Sequence, residues 1–219
     1  MKYYNEIKEG SRGPELRRII SGGKEKKFEL KWLKFTLYKD IYYFITKFNL
    51  KNSKNLCDIG CGTGNFLLYM KKKGWNTVGI EPSKEAFEVA TKFKLKIYHE
   101  TLDEFLINHP NYKNSFDVVT MINVLEHVRD PIKTLCQVKE LLVSKGIVCI
   151  CVPNDFNKLQ LFAQRVVKRK FWWIAIPDHI NYFNYEDLQK LLESQNFEIL
   201  YYTSDFPMEF FLLSGENYV

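Results

Sequence analysis

The chain has 219 residues, of which 46% are hydrophobic and 16% aromatic, and its formal net charge is +6. This composition is that of a globular protein with one compact domain, a modest appendage and a sizeable core. It contains no apolar tract long enough to span a bilayer and no apolar leader, so we expect a cytoplasmic protein. Its five cysteines, an odd number, favour reduced thiols over disulfides.

The first 54 residues form a basic segment. They hold fourteen Lys or Arg residues against six Asp or Glu, a net of +8, so the remainder of the chain sums to −2. A short helix is predicted after Gly13-Pro14, and apolar residues at spacings of three and four predict a longer helix from about Glu29 to Phe48. We assign residues 1–54 to an N-terminal helical cap. Its charge fits either an anionic partner or a solvated helix face.

A glycine-rich turn, DIGCGTG at residues 58–64, follows the first predicted strand. Such glycines let the backbone turn sharply and a ligand approach closely, and the helix that follows offers free N–H donors. Dinucleotide sites use G-x-G-x-x-G, which needs a glycine where this chain has Asn65. Asp58 at the head of the turn suits a cationic amino group rather than a pyrophosphate. The turn therefore disfavours a nicotinamide dehydrogenase.

Glu81 ends the next predicted strand, Thr77 to Ile80, where its carboxylate could accept hydrogen bonds from both hydroxyls of a ribose. Strands are also predicted at 95–98, 116–121 and 144–153, with helices between them. Helix starts are indicated by Ser83, the Thr101-x-x-Glu104 capping box, Asp130-Pro131 and Asn184. Repeated βαβ units argue for an α/β fold with a doubly wound, mostly parallel sheet that binds ligands at the carboxyl ends of its strands.

The regular pattern lapses over residues 154–183, before a helix predicted from Tyr185 to Ser194 and a strand from Phe197 to Tyr202. Within this stretch, QRVVKRKFWW at 164–173 runs from cations into three aromatics. Long excursions inside a compact domain are usually functional, so we predict a lid-like insertion within a domain spanning 55–219. A lid over the substrate, an interfacial membrane anchor and an ordinary surface helix all fit 164–173.

These motifs resemble those of the class I S-adenosylmethionine-dependent methyltransferases. The 58–64 turn is similar to their first motif, and Glu81 to their ribose-binding acid. The strand at 116–121, followed by Leu125-Glu126-His127, resembles the type 11 and 23 branch, which includes quinone-type enzymes. The ordered matches cover roughly residues 55–153 and imply a Rossmann-like sheet of the seven-stranded type. Only Met208 to Leu213 remains to supply the last strand, which leaves the completeness of that sheet open.

The resemblance implies S-adenosylmethionine as cofactor and S-adenosylhomocysteine as product, with no metal ion. Asp58 would meet the amino group directly or through water, Gly60 and Gly62 would approach the methionine portion, and Glu81 would hold the ribose. The other cofactor positions that it implies are Cys61 in the glycine turn, Thr101 and Leu102 beside the adenine, and Met121 and Asn123 along the methionine side.

Methyl transfer from a sulfonium is an in-line displacement, so a base is needed only when the nucleophile carries a proton. The resemblance places His179 near the substrate, and imidazole titrates in the range that suits a base. His127, just past the fourth strand, is the second candidate, with loop orientation as its alternative role. Tyr182 and Trp172 are candidate substrate-binding residues. The plain alternatives are local order for His179, through a hydrogen bond to Asp178, and packing for Tyr182.

We predict methyl transfer to a small-molecule acceptor, with oxygen as the favoured acceptor atom and sugar-type, polyketide-like and quinone-like molecules all open. The rival hypothesis is a noncatalytic S-adenosylmethionine-binding protein or a subunit of a methyltransferase complex. Nucleic acid is not expected as a partner, because no RNA-binding appendage is recognisable and no Asn-Pro-Pro-Tyr-like motif follows the fourth strand. Peripheral membrane contact through residues 164–173 and the oligomeric state stay open.

Overall fold

The computed structural model describes residues 24–49, 51, 53–168, 170–204 and 209–215. The short helix predicted after Gly13-Pro14 lies outside these ranges. Where one helix is predicted to Phe48, there are two, α1 (Lys24–Phe35) and α2 (Leu37–Phe48). That prediction is wrong at Thr36, whose backbone (φ −111°, ψ −98°) leaves the helical region while its hydroxyl donates to the Trp32 carbonyl. Such back-bonding by threonine bends helices.

The remainder of the described chain alternates strands with helices. The five strands are β1 (Asn55–Ile59), β2 (Asn76–Ile80), β3 (Lys96–Tyr98), β4 (Phe116–Ile122) and β5 (Leu142–Cys151). The helices that follow α2 are α3 (Asn65–Lys72), α4 (Lys84–Thr91), α5 (Leu102–Asn108), α6 (Pro131–Leu141), α7 (Lys158–Val167), α8 (Tyr185–Ser194) and α9 (Glu209–Leu213). Short 3-10 turns lie at Pro110–Tyr112 and Leu125–His127. No described helix has both the length and the apolar character needed to cross a bilayer.

All pairings between these strands are parallel, and the order across the sheet is β3-β2-β1-β4-β5. The predicted doubly wound α/β fold is therefore confirmed, with fewer strands than seven. One core cluster includes Phe105, Leu125 and Phe183, and the other packs Ile41 and Ile45 of α2 with buried residues of α3. The helices thus bury their apolar faces against the sheet. The ends of the strands are where a ligand site can form.

Four helices begin at the predicted polar caps. Ser83, Asp130 and Asn184 each accept a hydrogen bond from a backbone N–H of the first helical turn. Thr101 and Glu104 form the predicted reciprocal capping box. Each such cap stabilises its helix by about 1 kcal/mol. Because these helices follow strands or loops at the carboxyl edge, the caps also fix the backbone around the site.

The strand predicted at 197–202 is wrong, and the segment left to supply the last strand forms none. Residues 197–202 form no strand, and residues 209–213 are the helix α9, while Met208 lies outside the described residues. Tyr201 stacks on Phe44 and Tyr202 on Tyr185, each with ring centroids 4.0 Å apart. These two consecutive tyrosines therefore find ring partners on helices α2 and α8, and their backbone does not pair with the edge of β5.

Hydrogen exchange would distinguish an unpaired segment at residues 198–202 from a strand paired with the sheet. We expect the amides of residues 198–202 to exchange within minutes at neutral pH, because no strand partner holds them, whereas residues 118–121 of the central strand β4 exchange only through large-scale opening. Protection of 198–202 comparable to that of β4 would mean that this segment pairs with the sheet after all.

Candidate active site

The glycine turn lies between β1 and α3 at the carboxyl edge of the sheet, where doubly wound folds bind ligands. The N–H groups of Gly60 and Cys61 donate to the Ile80 carbonyl at 2.8 and 3.1 Å, which ties the turn to the end of β2. Gly62 has φ +54°, and a Cβ built on it meets nothing within 4 Å. At Gly60 a Cβ would lie 2.6 Å from Val124 Cγ2. Gly62 therefore leaves open space for a ligand, whereas Gly60 makes room for the Val124 side chain.

The Glu81 carboxylate is held against the glycine turn by two backbone donors. Its Oε2 accepts from Gly62 N–H and its Oε1 from Ser83 N–H, both at 2.7 Å. Each carboxylate oxygen can accept more than one hydrogen bond. The two N–H groups therefore orient Glu81 while leaving it the acceptor capacity that two ribose hydroxyls need.

Asp58 is a buried carboxyl at the centre of the sheet, 3% exposed. The register of β1 and β4 places it opposite Thr120, whose hydroxyl donates to Asp58 Oδ1 at 2.6 Å. Burial raises the pKa of Asp58 to about 7; the negative charge of Glu81 adds to that rise, and the Thr120 hydrogen bond opposes it. A cation placed beside Asp58 would favour its ionised form.

These two carboxyls fit the two polar ends of S-adenosylmethionine. A cationic amino group would offset the burial of Asp58, hydroxyls would occupy the remaining acceptor positions of Glu81, and the open space over Gly62 lies between their strands. The residues present therefore suit the cofactor that the glycine motif implies.

Of the other predicted cofactor positions, Thr101, Leu102 and Met121 are half-buried or buried, whereas Asn123 is exposed. Thr101 uses its hydroxyl in the capping box of α5, and Leu102 packs, partly buried, against the core. Met121 is fully buried in the same core cluster. Asn123 has φ +53°, and its N–H donates to the Cys151 carbonyl, which joins the ends of β4 and β5.

The structure brings the two candidate bases together. The rings of His127 and His179 lie 4.9 Å apart at their centroids, in an edge-to-face arrangement. His127 Nδ1 is 2.6 Å from the Asp178 carbonyl oxygen, and because a carbonyl only accepts, Nδ1 must carry the proton. His127 Nε2 lies 3.5 Å from Oε1 of the buried Glu126. An imidazolium formed in this pair would therefore have a carboxylate beside it.

Residues 180–182 fasten the segment that bears His179 to the loop after β4. The N–H groups of Ile180 and Asn181 both donate to the Glu126 carbonyl at 3.0 Å. The Asn181 side-chain amide donates to the Val128 carbonyl at 2.6 Å. Tyr182 follows, with its ring 6.1 Å from that of His179. His179 and Tyr182 thus lie near each other, whereas the rings of Trp172 and Trp173 have their centroids 4.9 Å apart.

Glu126, His127 and His179 also have the donor set of a metal site. One ligand atom from each lies within 4.8 Å of the others, and no other such group occurs among the residues that the structure describes. A carboxylate with two imidazoles suits a borderline divalent ion such as zinc. The prediction that no metal is needed stays a prediction.

The sequence analysis missed Thr120, Glu126 and Asn181. The strand order would have revealed Thr120, because a residue opposite a buried acid on a neighbouring strand is its natural hydrogen-bond partner. Glu126 stands next to His127 in the motif, but its burial was not visible there. No sequence signal marks Asn181, because its partners lie more than fifty residues away.

A family model described as a methyltransferase domain matches residues 34–202. A ubiquinone biosynthesis O-methyltransferase of Pelagibacter ubique (strain HTCC1062) is 32% identical over 154 residues, 68% of this chain and 62% of the relative. One from Aliivibrio fischeri (strain MJ11) is 29% identical over 161 residues, 69% of this chain and 67% of the relative. A third, from Saccharophagus degradans, matches over 48% of its own length. The aligned chain therefore spans about half to two thirds of these curated relatives.

Solved structures share the fold. A SAM-dependent methyltransferase from Archaeoglobus fulgidus superimposes with a TM-score of 0.58 at 22% identity, over 80% of this chain and 75% of that one. The plantazolicin methyltransferase BpumL in complex with SAH gives 0.59 at 20% identity, over 91% of this chain and 85% of that one. At these identities the likeness bears on the fold.

Exchanging Asp58 for Asn tests how much the buried carboxyl lowers the free energy of unfolding. The pKa of Asp58 is higher in the folded chain than in the unfolded one, so the folded state loses stability as pH rises from about 4 to about 7. Asp58→Asn should therefore raise the free energy of unfolding by about 1–3 kcal/mol at about pH 8, with a smaller gain at about pH 5.5. Urea titrations at both pH values measure this.

Asp117→Asn is the matched comparison. Asp117 is equally buried but accepts hydrogen bonds from the Ser53 hydroxyl and the Asn55 N–H, so its exchange should lower stability. A pH-independent loss of stability in Asp58→Asn would contradict the conclusion that the ionised carboxyl of Asp58 destabilises the fold and serves ligand binding.

Gly62→Val should abolish binding of S-adenosylmethionine, because the new side chain would fill the open space over the turn. Gly74→Val is the control, since Gly74 also has positive φ (+85°) and free space around a Cβ, but it lies between α3 and β2. Both variants should lose similar stability, and calorimetry should detect binding only in Gly74→Val. Equal affinities would remove the glycine turn from the cofactor site.

Proposed function

Because the chain belongs to the class I S-adenosylmethionine-dependent methyltransferases, we propose that it transfers the methyl group of that cofactor to an oxygen of a quinone-like small molecule. The observation that carries the proposal is the contact between His127 and His179 beside a sheet edge that holds Asp58 and Glu81. One end of the site fits the cofactor, and the other can accept a proton. The quinone-like acceptor is inferred from relatives named ubiquinone biosynthesis O-methyltransferase.

The cofactor end binds and orients. When bound, S-adenosylmethionine supplies a methyl group already activated by its sulfonium, so alignment is the main requirement. In this proposal Asp58 meets the amino group, Glu81 accepts from the ribose, and Gly62 admits the ligand to the turn. The fixed backbone donors of Gly62 and Ser83 keep Glu81 from turning away.

The acceptor end removes a proton from the hydroxyl that is methylated. We assign that step to His179, which is half-buried, whereas the side chain of His127 is only 5% exposed. His127, held by the Asp178 carbonyl, then positions His179, and the Glu126 carboxylate stabilises positive charge on the pair. The proton moves to an imidazole nitrogen as the oxygen takes the methyl group.

The insertion at 154–183 is proposed as a lid. Trp173 is 8% exposed and its ring meets that of Phe156 at 5.6 Å, so this aromatic packs inward. Such packing supports a lid more than an interfacial anchor, which would present its aromatics to lipid. Exposed Lys168, Lys170 and Phe171 still allow peripheral membrane contact as the lesser alternative. Of the predicted cationic stretch, Arg169 lies outside the described residues.

A cytoplasmic location completes the proposal. It is supported by the cysteines, all five of which are free thiols. The competing proposal is a noncatalytic S-adenosylmethionine-binding protein, which would bind the cofactor and methylate nothing.

His179→Ala tests the proposed chemistry. With S-adenosylmethionine and a panel of phenolic acceptors, mass spectrometry should detect a gain of one CH₂ group with the wild type. The variant should lose about 10²–10⁴-fold in kcat, with cofactor affinity unchanged, because only the proton transfer is removed. His109→Ala, at the end of α5, is the matched control and should keep its activity. Full activity of His179→Ala at saturating acceptor would remove His179 from the mechanism.

Chelation separates a proton-accepting pair from a metal site. If imidazole alone takes the proton, activity after exhaustive treatment with a chelator should equal that of untreated protein. Loss of activity that returns on adding a divalent ion would assign Glu126, His127 and His179 to metal ligation.

A further inference from the structure

The insertion carries buried polar atoms that the chain itself leaves unused. Four of them make no hydrogen bond with any described residue: Asp155 Oδ2, Trp172 Nε1, Trp173 Nε1 and Tyr182 Oη. Buried polar groups in native proteins are nearly always satisfied by protein, ligand or water. Four such atoms in one segment of thirty residues therefore mark a place where a ligand or ordered water would complete the hydrogen bonds.

Asp155 is the most telling of the four. It is 3% exposed, and no ion pair among the described residues involves it. Burial alone raises its pKa to about 6. Two of the other buried aspartates differ, since Asp58 accepts from Thr120 and Asp117 from Ser53. A structural role through hydrogen bonding explains Asp117 but does not explain Asp155.

The backbone holds Asp155 next to the acceptor end of the site. Its N–H donates to the Phe183 carbonyl at 2.7 Å, and Asn154 forms a parallel bridge with Phe183. Phe183 directly follows Tyr182, whose ring lies 6.1 Å from that of His179. Asp155 is therefore fixed to the same short segment that carries the proposed base.

Aromatic rings connect these residues. Phe156, in a left-handed conformation with φ +54°, places its ring 5.9 Å from Tyr182 and 5.6 Å from Trp173. Left-handed backbone is uncommon and costly for a bulky residue, and such strain collects at ligand sites. Phe156 meets both rings edge to face, at interplanar angles of 75° and 90°, so the rings form angled apolar walls between His179 and the Trp172–Trp173 pair, against which an aromatic ligand can pack.

The chemistry of the four atoms restricts that ligand. An indole N–H only donates, so Trp172 and Trp173 require hydrogen-bond acceptors on the ligand. An ionised carboxyl only accepts, so Asp155 requires an O–H or N–H donor. The ligand must therefore carry a donor in addition to the hydroxyl that faces His179.

We propose that Asp155 is a specificity-determining residue that selects acceptors carrying a second hydrogen-bond donor, either a hydroxyl or a protonated amine. The inference rests on the proposed function, because it assumes that the acceptor lies between His179 and the aromatic rings of the insertion. Asp155 takes no part in the proton transfer itself. Its contribution is to discriminate between acceptors of similar shape.

Equilibrium binding tests this without turnover. The full chain, saturated with S-adenosylhomocysteine, would be titrated calorimetrically with phenol and with the three benzenediols, and separately with 4-propylphenol and tyramine. The wild type should bind at least one benzenediol, or tyramine, about 10-fold or more tightly than its single-donor counterpart. Tighter binding of a benzenediol than of phenol would identify the additional donor as a hydroxyl. Tighter binding of tyramine than of 4-propylphenol would identify it as an ammonium.

Two variants then test whether Asp155 causes the preference for a ligand with a second donor. Asp155→Leu should bring the affinity ratio to about one, with the affinities for phenol and S-adenosylhomocysteine within about twofold of wild type. Asp155→Asn keeps an acceptor oxygen, so a preference for a second hydroxyl should survive and one for an ammonium should be lost. Asp103→Asn, on the exposed face of α5, should change neither ratio.

Three results would overturn the inference: no binding of any probe, no preference in the wild type, or the same preference in Asp155→Leu. If Asp155→Leu does not fold, Asp155→Ala replaces it with the same expected ratio of about one, because only a variant without the acceptor oxygen tests a preference for a second hydroxyl. The proposed function fails in a different way, through absence of S-adenosylhomocysteine binding or of methyl transfer. The two failures are therefore distinguishable.

Discussion

Asp58 and Glu81 bring two carboxyls to one edge of the sheet, because β1 and β2 pair in parallel and both strands end there. Burial and mutual repulsion oppose charge on Asp58, which is why its pKa rises to about 7. Thr120 and the N–H groups of Gly62 and Ser83 compensate in part and hold both groups in place. The buried, partly compensated carboxyls lower the stability of the ligand-free protein, and a bound ligand that supplies a cation and hydroxyls would raise that stability again.

The acceptor end depends on a second set of long-range contacts. The loop after β4 and the insertion after β5 are joined by N–H groups of Ile180 and Asn181 on the Glu126 carbonyl. The two ends of the same insertion are joined to each other, because the Asp155 N–H donates to the Phe183 carbonyl. Because His127 and His179 belong to different loops, their contact exists only while these bonds hold. A motion of the insertion would therefore move the proposed base together with the acceptor surface.

The features that could be predicted from the sequence are those with local causes. The five strands, the cap residues and the glycine turn each depend on a few neighbouring residues. Thr36 shows the limit of periodicity, since the apolar spacing runs through it while its hydroxyl bends the helix. The prediction of a strand from Phe197 to Tyr202 failed for a similar reason, because Tyr201 and Tyr202 stack on rings of two helices and their backbone does not pair with the sheet.

Only those residues of the candidate site that belong to a local sequence motif could be predicted from the sequence. Asp58, Gly62 and Glu81 come from the glycine turn and the strand end that follows it. Thr120 requires the strand register, and Asp155 requires knowledge of burial and of which hydrogen bonds are missing. The adjacency of His127 and His179, proposed as competitors, follows from contacts between residues about fifty positions apart.

Proton release on cofactor binding tests the central claim most directly. Titrations of the wild type with S-adenosylmethionine in buffers of different ionisation enthalpy would count the protons. If a cationic amino group binds beside ionised Asp58, binding at pH 6, 7 and 8 should release a fraction of a proton from Asp58 that falls as the pH rises. Asp58→Asn should release none at any of these pH values. Absence of proton release from the wild type, or equal release from the variant, would contradict the account.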